Sequence, residues 1–273
     1  MNYKRILTIQ DISCVGHCSM TVVLPVISAC GQECCILPSA VLSTHTGGFG
    51  KPAVRNLTDS MESIWNHWKE AGITFDAILV GYLGSIAAIE ETKAIAKELL
   101  VPGGKFIVDP AMADHGRLYS GFDDAYAQAM KELCGLADVI LPNITEAAMF
   151  AGLPYQEELS REYVESLLQN MGDGDVVLTG VGFGPDETGA AIRSRDRIHY
   201  VSSPKVGRGY HGTGDLFAAA FTGAWMGGKS MEEASDIAAK FVCRCVENTF
   251  TDPNHWYGTK FETALPYLIE LLH

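Results

Sequence analysis

The chain has 273 residues, 47% of them hydrophobic and 19% charged, with 33 acidic against 20 basic side chains and a formal net charge of −13. That apolar content excludes a disordered or fibrous chain, and the acidic surplus argues against a nucleic-acid binder, which needs a basic face to displace counterions. Anionic ligands stay compatible, because backbone amides, a helix N-terminus or a metal can supply local positive potential.

The start, "MNYKRILTIQD", holds an apolar stretch too short for a signal sequence and closed by Asp11, and no run nears the roughly 18 apolar residues of a membrane span. A cytoplasmic protein without membrane association is expected. "RILTI" reads as the first strand, followed by a helical stretch from about Ser19 to Cys30 and a second strand, "CCILPSAV". Leu57, Met61, Ile64, Trp65 and Trp68 share one helix face, which assigns the two tryptophans to the core or a dimer face. "AILVGYL" is a strand, then comes an Ala/Glu/Lys-rich helix from about Ala87 to Leu100, and "KFIVDPA" is a strand closed by Pro110. A helix from about Asp123 to Cys134 precedes the strand "DVILPN". Ser160 caps a helix whose face is Val164, Leu167, Leu168 and Met171. "DVVLTG" is a further strand, and "GAAIRSRDRIHYVSS" gives two extended runs about a polar centre, an antiparallel pair at a sheet edge. Helices over Gly214–Met226, Met231–Asn248 and Lys260–Leu272 complete the chain.

With no repeat, low-complexity tract or long linker, residues 1–273 read as one domain. Short apolar strands alternating with amphipathic helices predict a largely parallel sheet covered on both faces. Ligands of such sheets bind beyond the carboxyl ends of the strands. The polar residues there are Gln10 and Asp11, Tyr82, Asp109, Asn143 and Thr179. Eight cysteines include no C-x-x-C, and "CVGHC" (Cys14 to Cys18) lacks a second ligand pair at zinc spacing. Buried thiols acting as small hydrophobes are expected.

"GRGYHGTGDLFAAAFTGAWMGGKS" (Gly207 to Ser230) matches three phosphate-loop patterns at once. The triphosphate loop, Gly223 to Ser230, needs a preceding strand, but an Ala-rich helical run precedes it. Gly227-Gly228 reads as a helix end and "SMEE" as a capping box opening the next helix. The dinucleotide fingerprint of Gly207, Gly209 and Gly212 lies in the last third, with no strand following to carry the ribose-binding acid. The G-T-G-D turn, Gly212 to Asp215, does head a helix. Its amides would form an anion pocket, with Asp215 beside it either as a base for an alcohol or as a helix cap.

"GTGDLFAAAF" resembles the C-terminal signature of the ribokinase-like superfamily of small-molecule kinases. "DPAMADHGRLY" resembles the D-P-V-M-G-D segment of its vitamin-kinase branch, and "LPNITEA" the N-x-x-E magnesium motif. "STHTGGFG" and "GYLGS" resemble pyridoxal/pyridoxamine kinases in particular. The resemblance spans roughly Ile6 to Asn248. It implies a three-layer α/β/α sandwich with a central, mostly parallel sheet, and ATP-dependent phosphorylation of the 5′-hydroxymethyl group of a vitamin B6 vitamer. It also implies Mg2+, often an activating alkali cation such as K+, and a homodimer.

Under that resemblance Asp215 becomes the base, and Gly212, Thr213 and Gly214 the anion hole. Asp109 and Glu146 organise the metal with Asn143 beside them, hard oxygen donors that suit magnesium. Thr179 and the stretch Arg208, Gly209, Tyr210 and His211 line the nucleotide, and Tyr119 covers the phosphates. Asp11, Thr46, Gly47 and Tyr82 line the vitamer. Asp11 stands where these kinases usually carry serine, which implies pairing with a protonated pyridine nitrogen or an amine. Ala113 replaces the glycine of D-P-V-M-G-D, and the cysteine of a related G-T-G-C branch is absent. His45 reads either as a substrate contact or as a loop histidine bonded to backbone. His115 and His211 approach phosphates or face solvent. The alternatives are a hydroxymethylpyrimidine, sugar or other small-alcohol kinase of the same fold, a non-catalytic B6- or nucleotide-binding protein, and a nicotinamide oxidoreductase through Gly207 to Gly212.

Overall fold

The computed structural model describes residues 3–195, 197–207 and 209–273. The first half runs β1 (Arg5–Ser13), α1 (Met20–Ala29), β2 (Glu33–Leu42), β3 (Val54–Asn56), α2 (Thr58–Glu70), β4 (Phe75–Val80), α3 (Ile86–Leu99) and β5 (Leu100–Val108). A small hairpin, β6 (Ala113–Asp114) and β7 (Arg117–Leu118), leads to α4 (Asp124–Cys134), β8 (Val139–Ile140), α5 (Ile144–Ala151) and α6 (Arg161–Gln169). Then come β9 (Asp175–Thr179), β10 (Glu187–Ser194), β11 (Arg197–Pro204), α7 (Thr213–Met226) and α8 (Met231–Glu247). A 3-10 turn (Phe261–Ala264) leads into α9 (Leu265–Leu272).

Nine strands form one sheet in the order β11-β10-β9-β8-β5-β4-β1-β2-β3. The six from β9 to β2 are parallel; β10, β11 and β3 are antiparallel additions at the two edges. Side chains that alternate along a strand enter opposite faces. Leu7 and Ile9, Ile78 and Val80, Phe106 and Val108, and Val176 and Leu178 pack into one core with α2 to α6. Ile6, Leu79, Ile107 and Val177 pack into the other with α1, α7, α8 and α9. Both faces are covered, as parallel sheets require, giving the expected three-layer α/β/α sandwich. Trp65 and Trp68 pack against the first core, and Trp65 Nε1 donates to Glu91 at 2.8 Å.

The predicted elements recur with a few differences. β1 continues through Asp11 to Ser13 because it stays paired with β2 as far as Leu42, across a register shift between Gln10 and Ile12. Asp11 therefore lies inside the strand rather than after it. The β10–β11 pair sits at the sheet edge as expected. The short strands β3, β6 and β7 and the helix α5 have too few residues to establish a period. Of the eight cysteines only Cys30, Cys134 and Cys245 are buried; Cys14 is exposed and the rest are partly covered. Gly227 closes α7 and Ser230 opens α8 with a full capping box to Glu233, so Gly223 to Met226 end a helix and Gly227 to Ser230 form the turn between two helices. Among the described residues, no helix is long and apolar enough to cross a membrane.

Candidate active site

A cleft of ≈ 430 Å³ opens beyond the carboxyl ends of the parallel strands. Asp109 follows β5, Asn143 follows β8 and Thr179 ends β9, and all three line it. Tyr119 and Glu146 join them, as do Gly209, Tyr210, His211, Gly212, Thr213, Gly214 and Asp215 from the turn into α7. Arg208 lies outside the described residues.

Two helix N-termini face this cleft, and they differ. The Asn143 side chain accepts from the amides of Thr145 and Glu146, and Glu146 reaches back to Asn143 N, so α5 caps itself. No side chain caps α7 at Gly212. The first amides of a helix have no partner within it. Those of α7 are therefore left for an anion, with the helix dipole behind them.

The glycines of this turn do different work. Gly212 has φ +80°, and a Cβ built there would stand 1.8 Å from the carbonyl oxygen of His17. At Gly214 an added Cβ meets no atom within 4 Å. The first glycine lets the loop after β1 press on the turn; the second leaves space on the cleft side.

Four carboxyl groups line the cleft, those of Asp109, Asp114, Glu146 and Asp215. Burial, followed by the charges of Glu146 and Asp215, pushes Asp109 well above the usual carboxylate range. Burial pushes Glu146 to about 7 even though the amides of Asn143, Met112 and Ala113 bond it and favour its ionised form. These bonds, at 3.0, 2.8 and 3.3 Å, tie the loop after β5 to the start of α5. Asn143 Nδ2 donates to Ala113 O at 2.8 Å. Ala113 is not among the residues with positive φ, so alanine in place of glycine does not strain this loop. Burial lifts Asp215 from 3.8 to about 7, the backbone N–H of Ser19 lowers it, and the charge of Asp11 raises it. The described residues hold no group of three or more His, Cys, Asp or Glu arranged for a metal. Asp109 and Glu146 are a pair whose mutual repulsion a divalent cation would relieve, and carboxylates are the hard oxygens such an ion takes.

The residues assigned to the vitamer do not line this cleft but lie around Asp215 and His211. Asp11 is 4% exposed and accepts from Ser13 Oγ at 2.9 Å. Its charge acts on both Asp215 and Tyr82. Tyr82 packs on Phe122, which stacks on Tyr126. A Cβ on Gly47 would stand 2.5 Å from the His211 ring, so the loop carrying Thr46 and Gly47 abuts the turn into α7. His45 is buried, accepts from Gly47 N at 2.9 Å through Nδ1 and donates Nε2–H to Tyr257 O at 2.9 Å. It is the backbone-bonded loop histidine. His115 is 89% exposed at its side chain, beside Asp114.

Sequence reading missed one wall of the cleft. Lys205 and Val206 after β11, Phe217 and Ala218 of α7, and Ala239, Val242, Cys243 and Val246 of α8 complete it. The mixture of apolar positions on α8 facing core and cleft alike gives no separate periodic signal.

Residues 57–259 match the family described as Phosphomethylpyrimidine kinase. The chain is 30% identical over 265 residues to the pyridoxal kinase PdxY of Corynebacterium diphtheriae, covering 90% of both. Its fold superposes on the pyridoxal kinase of Lactobacillus plantarum with a TM-score of 0.90 at 32% identity, covering 99% of this chain and 98% of that one. A Bacteroides thetaiotaomicron protein crystallised with pyridoxal gives a TM-score of 0.92 at 35% identity, covering 98% and 96%. The chain spans only 32% of the length of the Corynebacterium efficiens thiamine biosynthesis multifunctional protein ThiED, to which it is 26% identical over 245 residues.

Proposed function

We infer the activity from one premise: the chain belongs to the phosphomethylpyrimidine kinase family, whose relatives here include pyridoxal kinases. It is a kinase of that pyridoxal/hydroxymethylpyrimidine group. We propose that it transfers the γ-phosphoryl group of ATP to the 5′-hydroxymethyl oxygen of a B6 vitamer. The observation that carries this reading is the uncapped N-terminus of α7 with Asp215 in its first turn, opening on the cleft that also holds Asp109 and Glu146.

In this reading the substrate hydroxyl gives its proton to the Asp215 carboxylate as its oxygen bonds to the γ-phosphorus. The bond from that phosphorus to the bridging oxygen breaks, and its electrons leave with ADP. The amides of Gly212, Thr213 and Gly214 stabilise charge on the transferring group. An acid group poised near neutrality suits a base that is ionised before reaction and protonated after it. Asp109 and Glu146 would hold magnesium, with Asn143 beside them, and the ion neutralises phosphate charge when bound. Tyr119, Thr179, Gly209, Tyr210, His211 and, outside the described residues, Arg208 would border the nucleotide. Thr46, Gly47 and Tyr82 border the vitamer. An alkali cation such as K+ and a homodimer complete the proposal.

A hydroxymethylpyrimidine kinase uses the same chemistry on a different ring, and the family match itself supports it as the second reading. ADP release measured with pyridoxal, pyridoxamine, pyridoxine and hydroxymethylpyrimidine, each with and without magnesium, separates the two. Turnover with the pyrimidine alone, or with no alcohol among the four, defeats the B6 assignment.

A further inference from the structure

Residues 249–260, between α8 and the last 3-10 turn, form neither helix nor strand, yet their ends are tied together. Lys260 Nζ pairs with Asp252 at 2.6 Å, and Lys260 N donates to Thr249 Oγ1 at 2.8 Å. Loops whose ends meet in this way pack on a surface as compact units. From that base the segment reaches the turn into α7 and the loops after β1 and β2. A Cβ on Gly207, where the stretch into α7 begins, would stand 3.2 Å from Phe250 Cβ. The Tyr257 carbonyl accepts from His45 Nε2 at 2.9 Å and from His17 N at 3.4 Å, and His17 Nδ1–H donates to Thr259 O. The Trp256 ring packs on Phe49 with centroids 4.6 Å apart. A Cβ on Gly48 would stand 2.5 Å from that indole ring, and one on Gly47 2.5 Å from the His211 ring. The loop with Thr46 and Gly47 is thus gripped at Gly47 by the turn into α7 and at Gly48 by Trp256.

We infer that residues 249–260 are a strap for the alcohol site and that Trp256 is its positioning residue: packed on Gly48 and Phe49, it holds the loop carrying Thr46 and Gly47 against His211, ready for the alcohol's ring. The inference rests on the reading that Thr46 and Gly47 border the alcohol. Trp256 is 40% exposed and belongs to neither core, so filling the interior does not account for it. A loop with glycine at 47, 48 and 50 has many backbone states open to it. A site formed in only a fraction of molecules binds its ligand more weakly by that fraction. The strap removes this cost before the alcohol arrives. Trp256 is not among the residues lining the cleft that holds Asp109 and Asp215. It therefore acts on the affinity for the alcohol and leaves ATP and the transfer step alone.

The test is a set of variants of the full chain: Trp256→Ala, Trp256→Phe, Phe49→Ala and the Phe49→Ala/Trp256→Ala pair. Each is assayed by ADP release for kcat, for the KM of ATP, and for the KM of whichever of pyridoxal, pyridoxamine, pyridoxine and hydroxymethylpyrimidine the parent turns over fastest. Trp256→Ala should raise the KM of the alcohol at least about tenfold, with the KM of ATP within about twofold and kcat within about threefold. Trp256→Phe keeps a ring on Phe49 and should stay within about threefold of the parent in all three. Phe49→Ala should repeat the pattern of Trp256→Ala, and the pair should be no more than about twofold worse than the worse single variant, since both remove one contact. The inference is overturned if Trp256→Ala keeps the KM of the alcohol, if both KM values rise together, if Trp256→Phe is as impaired as Trp256→Ala, or if the two losses multiply in the pair. Weakened ADP binding by Trp256→Ala would mark Trp256 as a general stabiliser and overturn it equally. Thermal melting checks each fold; if Trp256→Ala does not fold, Trp256→Leu takes its place. A parent that turns over none of the four alcohols defeats the reading of the alcohol site and the strap with it; if the parent turns one over and Trp256→Ala keeps its KM, only the strap falls.

Discussion

A Cβ on Gly212 would stand 1.8 Å from the carbonyl oxygen of His17, so the loop leaving β1 and the turn entering α7 touch through bare backbone. That contact brings the loop that leaves the first strand to the helix terminus where the amides are uncapped. The two halves of the site are joined there.

From this contact follows a contrast between two glycines. Gly212→Ala forces the loops apart and also strains a positive φ, so a stability loss of about 2–4 kcal/mol and loss of turnover are expected. Gly214→Ala faces open space. It should melt within a few degrees of the parent while raising the KM for ATP, because its methyl enters the anion pocket. Melting curves and steady-state kinetics of the two variants check both statements; equal destabilisation would contradict the assignment of roles.

Asp215→Asn should bind ATP and alcohol with little change but lose kcat by several orders of magnitude. Unchanged kcat would remove Asp215 from the chemistry.

The same substitution should stabilise the unliganded protein, with a definite pH dependence. Asp215 is raised from 3.8 to about 7 in the fold, chiefly by burial. The folded state therefore holds a proton that the unfolded state releases between those values. The parent's stability falls as pH rises through that window, and below about 4 the group costs nothing. The gain from asparagine should be near zero at pH 4 and level off above 7 at roughly 1–4 kcal/mol, one pKa unit being about 1.4 kcal/mol. Denaturant titrations of both proteins across this range measure it.

For the parent enzyme, kcat/KM should fall on the acid side with an apparent pKa near 7, as Asp215 takes up the proton that disables it as a base. A profile flat down to pH 5.5 would be inconsistent with this assignment.

Glu146→Ala removes the acceptor for the amides of Met112, Ala113 and Asn143 in a buried site. A loss of about 2–4 kcal/mol is expected in chemical denaturation, with a higher magnesium requirement in the assay. A variant as stable as the parent would mean that water replaces the carboxylate on all three amides.

Val242→Trp tests the wall that sequence reading missed. Val242 lines the cleft from α8, so the larger ring should raise the KM for ATP at least about tenfold and leave that of the alcohol within about twofold. The reverse pattern would exchange the two ligand positions.

Sequence by itself determined the alternation of strands and helices, the two covered faces and the place of the G-T-G-D turn at the head of a late helix. Each of these is a local matter: period, turn residues, and whether a strand or a helix precedes a glycine run. Asp109, Asn143 and Thr179 were legible for the same reason, since parallel strands carry their ends to one edge. The tertiary structure alone decided that Asp11 stays within β1, that the loop after β1 presses on Gly212, and that α8 closes the cleft. Those contacts join residues as much as some two hundred positions apart. No spacing along the chain encodes which backbone will press on which, because the packing of separate elements over the sheet sets it.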